Sequence, residues 1–252
     1  MTQQEKALRF KSLHKRGAPL VLYNIWDAGG AKALAEAGAP AVATGSWSVA
    51  AAHGYDDGEA IPLDFLLHIV ERTACSVELP LSVDFEGGYA EKPEAVAANV
   101  GRVLQAGAIG INFEDRIVQG EGLYPIATQV ERIAAIREAA RRADVPLFIN
   151  ARTDLFLGSD PATHEGLVPQ AIEREAAYAK AGADGFFIPG LVARGAIRDI
   201  VSAVSLPVNV MMMGELVSIS DVSELGVSRA SYGPGPFIAA AADLSGRYKS
   251  LT

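Results

Sequence analysis

The chain has 252 residues, half of them hydrophobic and 21% charged, which is enough to bury a sizeable core and too apolar for a disordered protein. Its 22 basic against 30 acidic side chains leave a net charge of −8, arguing against a nucleic-acid binder, which needs a basic face for phosphates. No apolar run reaches membrane-spanning length, the polar start MTQQEKALRFKSLHKRG lacks a signal-peptide core, and the single cysteine, Cys75, fits a reducing compartment; a cytoplasmic protein with no membrane partner is expected.

Residues 3–16 predict a helix with Leu8, Phe10 and Leu13 as its main apolar positions, expected to cap the bottom of a core. The chain then alternates. Apolar runs of strand length stand at 20–24, 41–44, 81–85, 109–113, 147–150, 185–188, 208–211 and 229–232. Helical patterns fill 28–37, 62–75, 93–106, 128–142, 169–181, 193–203, 218–225 and about 236–248. The strands are apolar on both faces, as in a buried parallel sheet. The segments EAGA (36–39), QAGA (105–108), KAGA (180–183) and ELGV (224–227) each end a helix just before a strand, and glycine there takes the left-handed conformation that stops a helix. Eight such units without a linker predict one α/β domain over 1–252, a (β/α)8 TIM-type barrel with an N-terminal capping helix. An open doubly wound sheet is the alternative.

In a barrel the loops after the strands carry function, and here they collect the polar residues. LSVDFEGGY (81–89) ends in Asp84 and Glu86, which strand alternation points the same way. IGINFED (109–115) adds Glu114 and Asp115. Like charges this close call for a cation, and hard oxygen ligands suit magnesium better than zinc. Asp57, in the loop 53–59, adds a further outer acceptor. Asp115 faces away from Glu114, and its role is open. Arg152, in NARTD, either pairs with the acids or, as favoured here, clamps a substrate anion. Asn209 is buried in an apolar strand and needs partners; a bond to substrate is preferred to a structural one. Ser46, Trp47 and Ser48 form a turn whose N–H groups suit a carboxylate or oxyanion, with the Trp47 ring as a wall. His53, His68 and His164 have no zinc spacing, and Cys75 reads as packing.

Together these pieces resemble the isocitrate lyase/phosphoenolpyruvate mutase superfamily from about Tyr23 to Pro236. The marks are NIWDAGGAKALAEAGAPAVATGS, HGYDDGE, SVDFEGGY, INFED and INARTD, with VNV and SYGPGPF in support. The resemblance implies a Mg2+ enzyme, with Mn2+ as the alternative ion, that makes or breaks a C–C or P–C bond beside the carbonyl of a 2-oxo acid. It implies Asp84 as direct metal ligand and Asp57, Glu86 and Glu114 as holders of the metal's waters. Ser46 and the Trp47 backbone would take the 2-oxo acid, which Asp84 meets through the metal, while Arg152 steadies its anionic end. Glu86 stands where many relatives have aspartate. The Lys-x-Cys-Gly-His loop of the isocitrate and methylisocitrate lyases is replaced by RIVQGEGLY (116–124), and the mutase's lysine- and asparagine-bearing loop is missing too. In that loop Glu121 and Tyr124 are the remaining acid–base candidates, and its glycines suit a lid. The reading that follows is a lyase of a small 2-oxo acid, with oxaloacetate decarboxylation its concrete version. The alternatives are a phosphonopyruvate hydrolase or phosphoenolpyruvate mutase, or a non-catalytic 2-oxo-acid-binding barrel. A homo-oligomer is expected, a tetramer by resemblance and a dimer by the short tail.

Overall fold

Strands that are apolar on both sides are stable only where both sides are covered, and the chain folds to satisfy this. A computed structural model describes residues 1–251. Its strands are β1 (Leu20–Leu22), β2 (Val42–Ala43), β3 (Leu81–Asp84), β4 (Gly110–Glu114), β5 (Phe148–Arg152), β6 (Gly185–Phe187), β7 (Val208–Met211) and β8 (Arg229–Ser231). They pair in parallel from β2 through β8 and on to β1. The seam between β1 and β2 is a single parallel bridge, Ile25 with Thr44. There the Ile25 N–H donates to Ala43 O at 2.9 Å and the Gly45 N–H to Ile25 O at 3.1 Å. The expected (β/α)8 barrel is formed, and the open sheet is not.

The helices are α1 (Gln3–Ser12), α2 (Ala28–Glu36), α3 (Ser46–Ala52), α4 (Leu63–Ser76), α5 (Pro93–Gln105), α6 (Ile126–Arg142), α7 (His164–Ala181), α8 (Arg194–Ala203), α9 (Ile219–Glu224) and α10 (Gly235–Lys249). The four helix-stopping glycines are all left-handed: Gly38 at φ 86°, Gly107 at 96°, Gly182 at 107° and Gly226 at 80°. None of the helices is long and apolar enough to cross a membrane.

Helix α1 closes the floor, held at its start by a capping box between Thr2 and Glu5. Phe10 is fully buried and meets Phe148 edge-on at 5.3 Å, while His14 stacks on the same ring at 4.1 Å. Burial, and then the Arg229 cation, lower the His14 pKa to about 3, so the imidazole is neutral.

Away from the open end of the barrel the structure departs from the sequence expectation as follows. Helix α1 ends at Ser12 rather than 16. Helix α7 begins at His164, because Pro169, which reads as a first-turn residue, lies inside the helix. Cys75, expected to pack, is exposed near the end of α4.

Candidate active site

Strand β3 delivers Asp84 to the open end of the barrel, where the Asp84 N–H donates to Thr44 Oγ1 at 2.9 Å. The Asp84 Oδ2 accepts from the Ser46 N–H at 3.0 Å and the Ser46 hydroxyl at 2.9 Å. Segment 46–48, expected as a turn, is the first turn of α3, so its free N–H groups favour a carboxylate at this spot. The other oxygen, Oδ1, has only a long contact, 3.4 Å from Asn112 Nδ2.

Glu86 arrives by a different route from the one expected. Strand β3 stops at Asp84, and alternation does not extend to Glu86, which is left-handed at φ 48°. Gly88 (85°) and Tyr89 (57°) continue the left-handed turn, and a Cβ on Gly88 would lie 3.0 Å from both Phe113 and Val96. Buried Arg132 holds this turn from below, donating from Nη2 to Ala90 O at 3.0 Å and also to Gly87 O. The Glu86 carboxylate is buried and accepts the Glu59 N–H on Oε2 at 2.9 Å. Burial first, then the charges of Asp57 and Asp84, push its pKa up to about 8. Asp57 stands at the exposed mouth and is also raised, by partial desolvation and then by Asp84. The Asp84 charge thus opposes ionisation of both Asp57 and Glu86, and the Asp57 charge opposes that of Glu86 as well.

Glu114 ends β4 beside Arg152, which ends β5. Arg152 Nη1 lies 3.0 Å from Glu114 Oε2, while Nε and Nη2 grip Asp154 at 2.5 and 2.8 Å. Burial raises the Glu114 pKa, and Arg152 opposes that rise. All three guanidinium nitrogens thus lie against protein carboxylates, the pairing role the sequence left open beside the clamp.

Ser46, Asp57, Asp84, Asn112 and Arg152 help wall a cavity of about 190 Å³, whereas Glu86 and Glu114 stand outside its lining. The lining mixes polar residues (Asn24, Ser46, Asp57, Asp84, Asn112, Arg152 and Ser231) with apolar ones (Trp47, Leu157, Phe187, Pro189 and Met211). Larger hollows of about 580 and 600 Å³ lie beside the 154–159 loop and between α5 and α6. Convergent polar groups, not size, select the smaller one.

The sequence profile of the phosphoenolpyruvate phosphomutase family matches residues 10–252. The chain belongs to that family. A crystal structure from Burkholderia cenocepacia J2315, provisionally assigned as a phosphonomutase, is 45% identical over the full length of both chains, with a TM-score of 0.97. The 2-methylisocitrate lyase of Escherichia coli K12 is 30% identical over 79% of this chain and 67% of its own. Oxaloacetate decarboxylase of Bradyrhizobium sp. BTAi1 is 30% identical over 78% and 67%. A phosphonopyruvate hydrolase in complex with oxalate and Mg2+ shares the fold, with a TM-score of 0.87 at 22% identity, over 100% of this chain and 87% of that one. The chain is accordingly an enzyme of the isocitrate lyase/phosphoenolpyruvate mutase superfamily, whose members are lyases and mutases acting on C–C or P–C bonds.

Within this family frame, the remaining expected residues separate into those at the cavity and those away from it. Trp47 is a wall residue, 40% exposed and edge-on to Phe237 at 6.0 Å. Asn209 is buried off the cavity lining; its Oδ1 accepts from Ser231 at 3.2 Å and its Nδ2 has no partner. Glu121 is exposed on its loop and does not line the cavity. Tyr124 stacks on Arg132 at 4.2 Å and lines a separate hollow with Glu59. Neither loop candidate reaches the strand-end acids. Asp115 is structural, tied to Arg174 at 3.0 Å, to the Tyr178 hydroxyl at 2.8 Å and to the Asp154 N–H at 3.0 Å.

The sequence reading passed over Asn112, Asp154 and Arg229. Each is a polar residue in or just after an apolar run, the same signal that exposed Asn209. Among the described residues, no three His, Cys, Asp or Glu side chains are grouped to bind a metal directly.

Proposed function

We propose that this chain is a Mg2+-dependent lyase of a small 2-oxo acid, most concretely an oxaloacetate decarboxylase. The supporting observation is the site's geometry: Asp84, whose Oδ1 has only a 3.4 Å contact to Asn112, lines the cavity with Asp57 and with apolar Phe187 and Met211. The acids Glu86 and Glu114, both of raised pKa, feel its charge from outside the lining. The donor set fits a magnesium-type ion. Asp84 offers one direct hard ligand, and Asp57, Glu86 and Glu114 suit hydrogen bonds to the waters such an ion retains. The mutual repulsion that raises the pKa of Asp57 and Glu86 is what such a cation would relieve. When bound, the ion supplies stabilisation for the enolate charge that develops on the keto oxygen.

The chain's own groups supply the rest. Ser46 fixes Asp84 through two hydrogen bonds, and neighbouring N–H groups of α3 suit the substrate carboxylate. Arg152 balances charge at Glu114 and Asp154. Trp47, Leu157 and Phe187 give the cavity lining its apolar part. An apolar wall favours the departure of a carboxylate as neutral CO2 over its retention as an anion. Decarboxylation also needs no base to begin it, which agrees with a cavity that neither Glu121 nor Tyr124 reaches.

A second reading is P–C bond chemistry on a phosphonate, favoured by the 45% identity to the phosphonomutase-assigned structure. Against it stands the cavity's single cation-bearing side chain, already engaged by two carboxylates. The test is a substrate panel with and without Mg2+. CO2 release from oxaloacetate above the metal blank is expected, with the excess abolished in Asp84→Ala. Phosphate or phosphoenolpyruvate formed from phosphonopyruvate would select the second reading. Thermal stabilisation by 2-oxo acids with no product from any would make the protein a binding barrel.

A further inference from the structure

An arginine with no carboxylate partner lies beneath the cavity. Arg229, on β8 opposite Asn209 in register, is wholly buried. Its Nη2 donates to Asn112 Oδ1 at 3.1 Å and its Nε to Ser231 Oγ at 3.2 Å, while Nη1 has no partner. A buried guanidinium without an ion pair is expensive to maintain. Burial lowers its pKa to about 9, which still leaves it charged at neutral pH.

Arginine has donors and no acceptor. The Asn112 atom that meets Nη2 must therefore be the amide oxygen. The same oxygen also accepts from Asn150 Nδ2 at 2.9 Å. With two donors converging on the oxygen, the NH2 group is turned the other way, toward Asp84 Oδ1 and the cavity that Asn112 lines. The 3.4 Å contact to Asp84 is too long to fix this orientation alone, whereas the shorter bond from a cation is charge-assisted. A flipped amide would instead aim its oxygen at the Asp84 carboxylate and at any anion above it.

We propose that Arg229 is a positioning residue: acting through Asn112, it makes the cavity floor a hydrogen-bond donor toward an anionic 2-oxo acid. The ligand class rests on the proposed function, whereas the amide orientation does not. The test compares Arg229→Lys, whose ammonium can only donate, with Arg229→Gln, which can also accept and so permits the flip; both are measured at a pH low enough to keep the lysine protonated. In the ligand-free protein the Asn112 NH2 resonances are identified by their loss in Asn112→Ala. Their nuclear Overhauser contacts should run to the Asp84 side in wild type and R229K, and turn toward position 229 in R229Q. Calorimetric binding of oxalate with Mg2+ should weaken about tenfold in R229Q and less than about twofold in R229K. In the Asn112→Ala background, R229Q should add no further loss. Unchanged NH2 contacts in R229Q, or equal losses in R229K and R229Q, would overturn the positioning role. A wild type that binds neither oxalate nor any 2-oxo acid would instead overturn the proposed function, and the NH2 contacts would then decide the role by themselves.

Discussion

Glu86 holds its proton far above the ordinary carboxylate range, and that has a measurable sign. Its carboxyl ionises near 4.5 when unfolded and near about 8 in the fold, chiefly because it is buried and next because Asp57 and Asp84 repel a further charge. Between those values the folded state binds the extra proton, so the free energy of unfolding falls as pH rises through the window and levels off above it. Melting curves in EDTA from pH 5 to 9 should show this decline. Glu86→Gln should flatten it, and saturating Mg2+ should flatten it in the wild type; an unchanged slope in Glu86→Gln would assign the decline to other groups. Activity should also fall about 10- to 100-fold in Glu86→Gln, the usual cost of losing an outer-shell partner, as read from initial rates. At this scale the placement of Asp84, Ser46 and Arg152 at the cavity was legible from polar side chains at the ends of apolar runs, and that of Asp57 from the loop that follows the second run. The approach of Glu86 was not, since a left-handed glutamate is set by the Gly87–Gly88 turn and the buried Arg132 beneath it, a contact 45 residues away. Asp154 was quoted in NARTD yet not chosen, because only the fold shows that it grips Arg152 with two hydrogen bonds.

Among the elements, the capping helix and the helix–glycine–strand turns could be read directly, since each rests on local rules of amphipathicity and left-handed glycine. Helix α3 escaped because seven residues with no side-chain N-cap carry too little period to register. It is held by tertiary contact instead, above all by Asp84 at its start. The loop 116–124 misled in the opposite sense: Glu121 and Tyr124 have the right chemistry, but a bridge between Arg116 and Leu123 folds the loop back on itself. For α1 the cost of its anchor can be stated. Phe10→Ala removes a fully buried ring from the barrel floor and should destabilise the protein by about 3–5 kcal/mol in urea unfolding. The expected oligomer has a candidate surface on α10, where Ile238, Leu244 and Tyr248 are exposed. Sedimentation should find a dimer or larger species in the wild type and a smaller one in Leu244→Glu.

For the whole molecule, closure of the barrel is uneven. Seven junctions are strand pairs, whereas β1 and β2 meet through the single bridge at Ile25 and Thr44. Asn24 reinforces that junction with its side chain, donating from Nδ2 to Thr44 O at 2.8 Å and accepting on Oδ1 from the Tyr232 and Gly233 N–H groups at 2.9 Å each. One amide thus ties β2 to the loop after β8 across the thinnest part of the wall. Asn24→Ala should accelerate amide deuteration at residues 42–45 well before the β4–β5 amides respond. Equal protection in both places would show that the wall does not depend on this tie.

That tie has a bearing on how a ligand gets in and out. Ser46, which follows β2 and meets Asp84, stands on the less firmly anchored side of the seam, while β4 and β5, carrying Glu114 and Arg152, stand in the most heavily stitched part of the cylinder. The pocket is therefore part hinge and part anvil: small breathing of the β1–β2 wall would loosen the grip on one end of a bound molecule while the acids opposite keep their places.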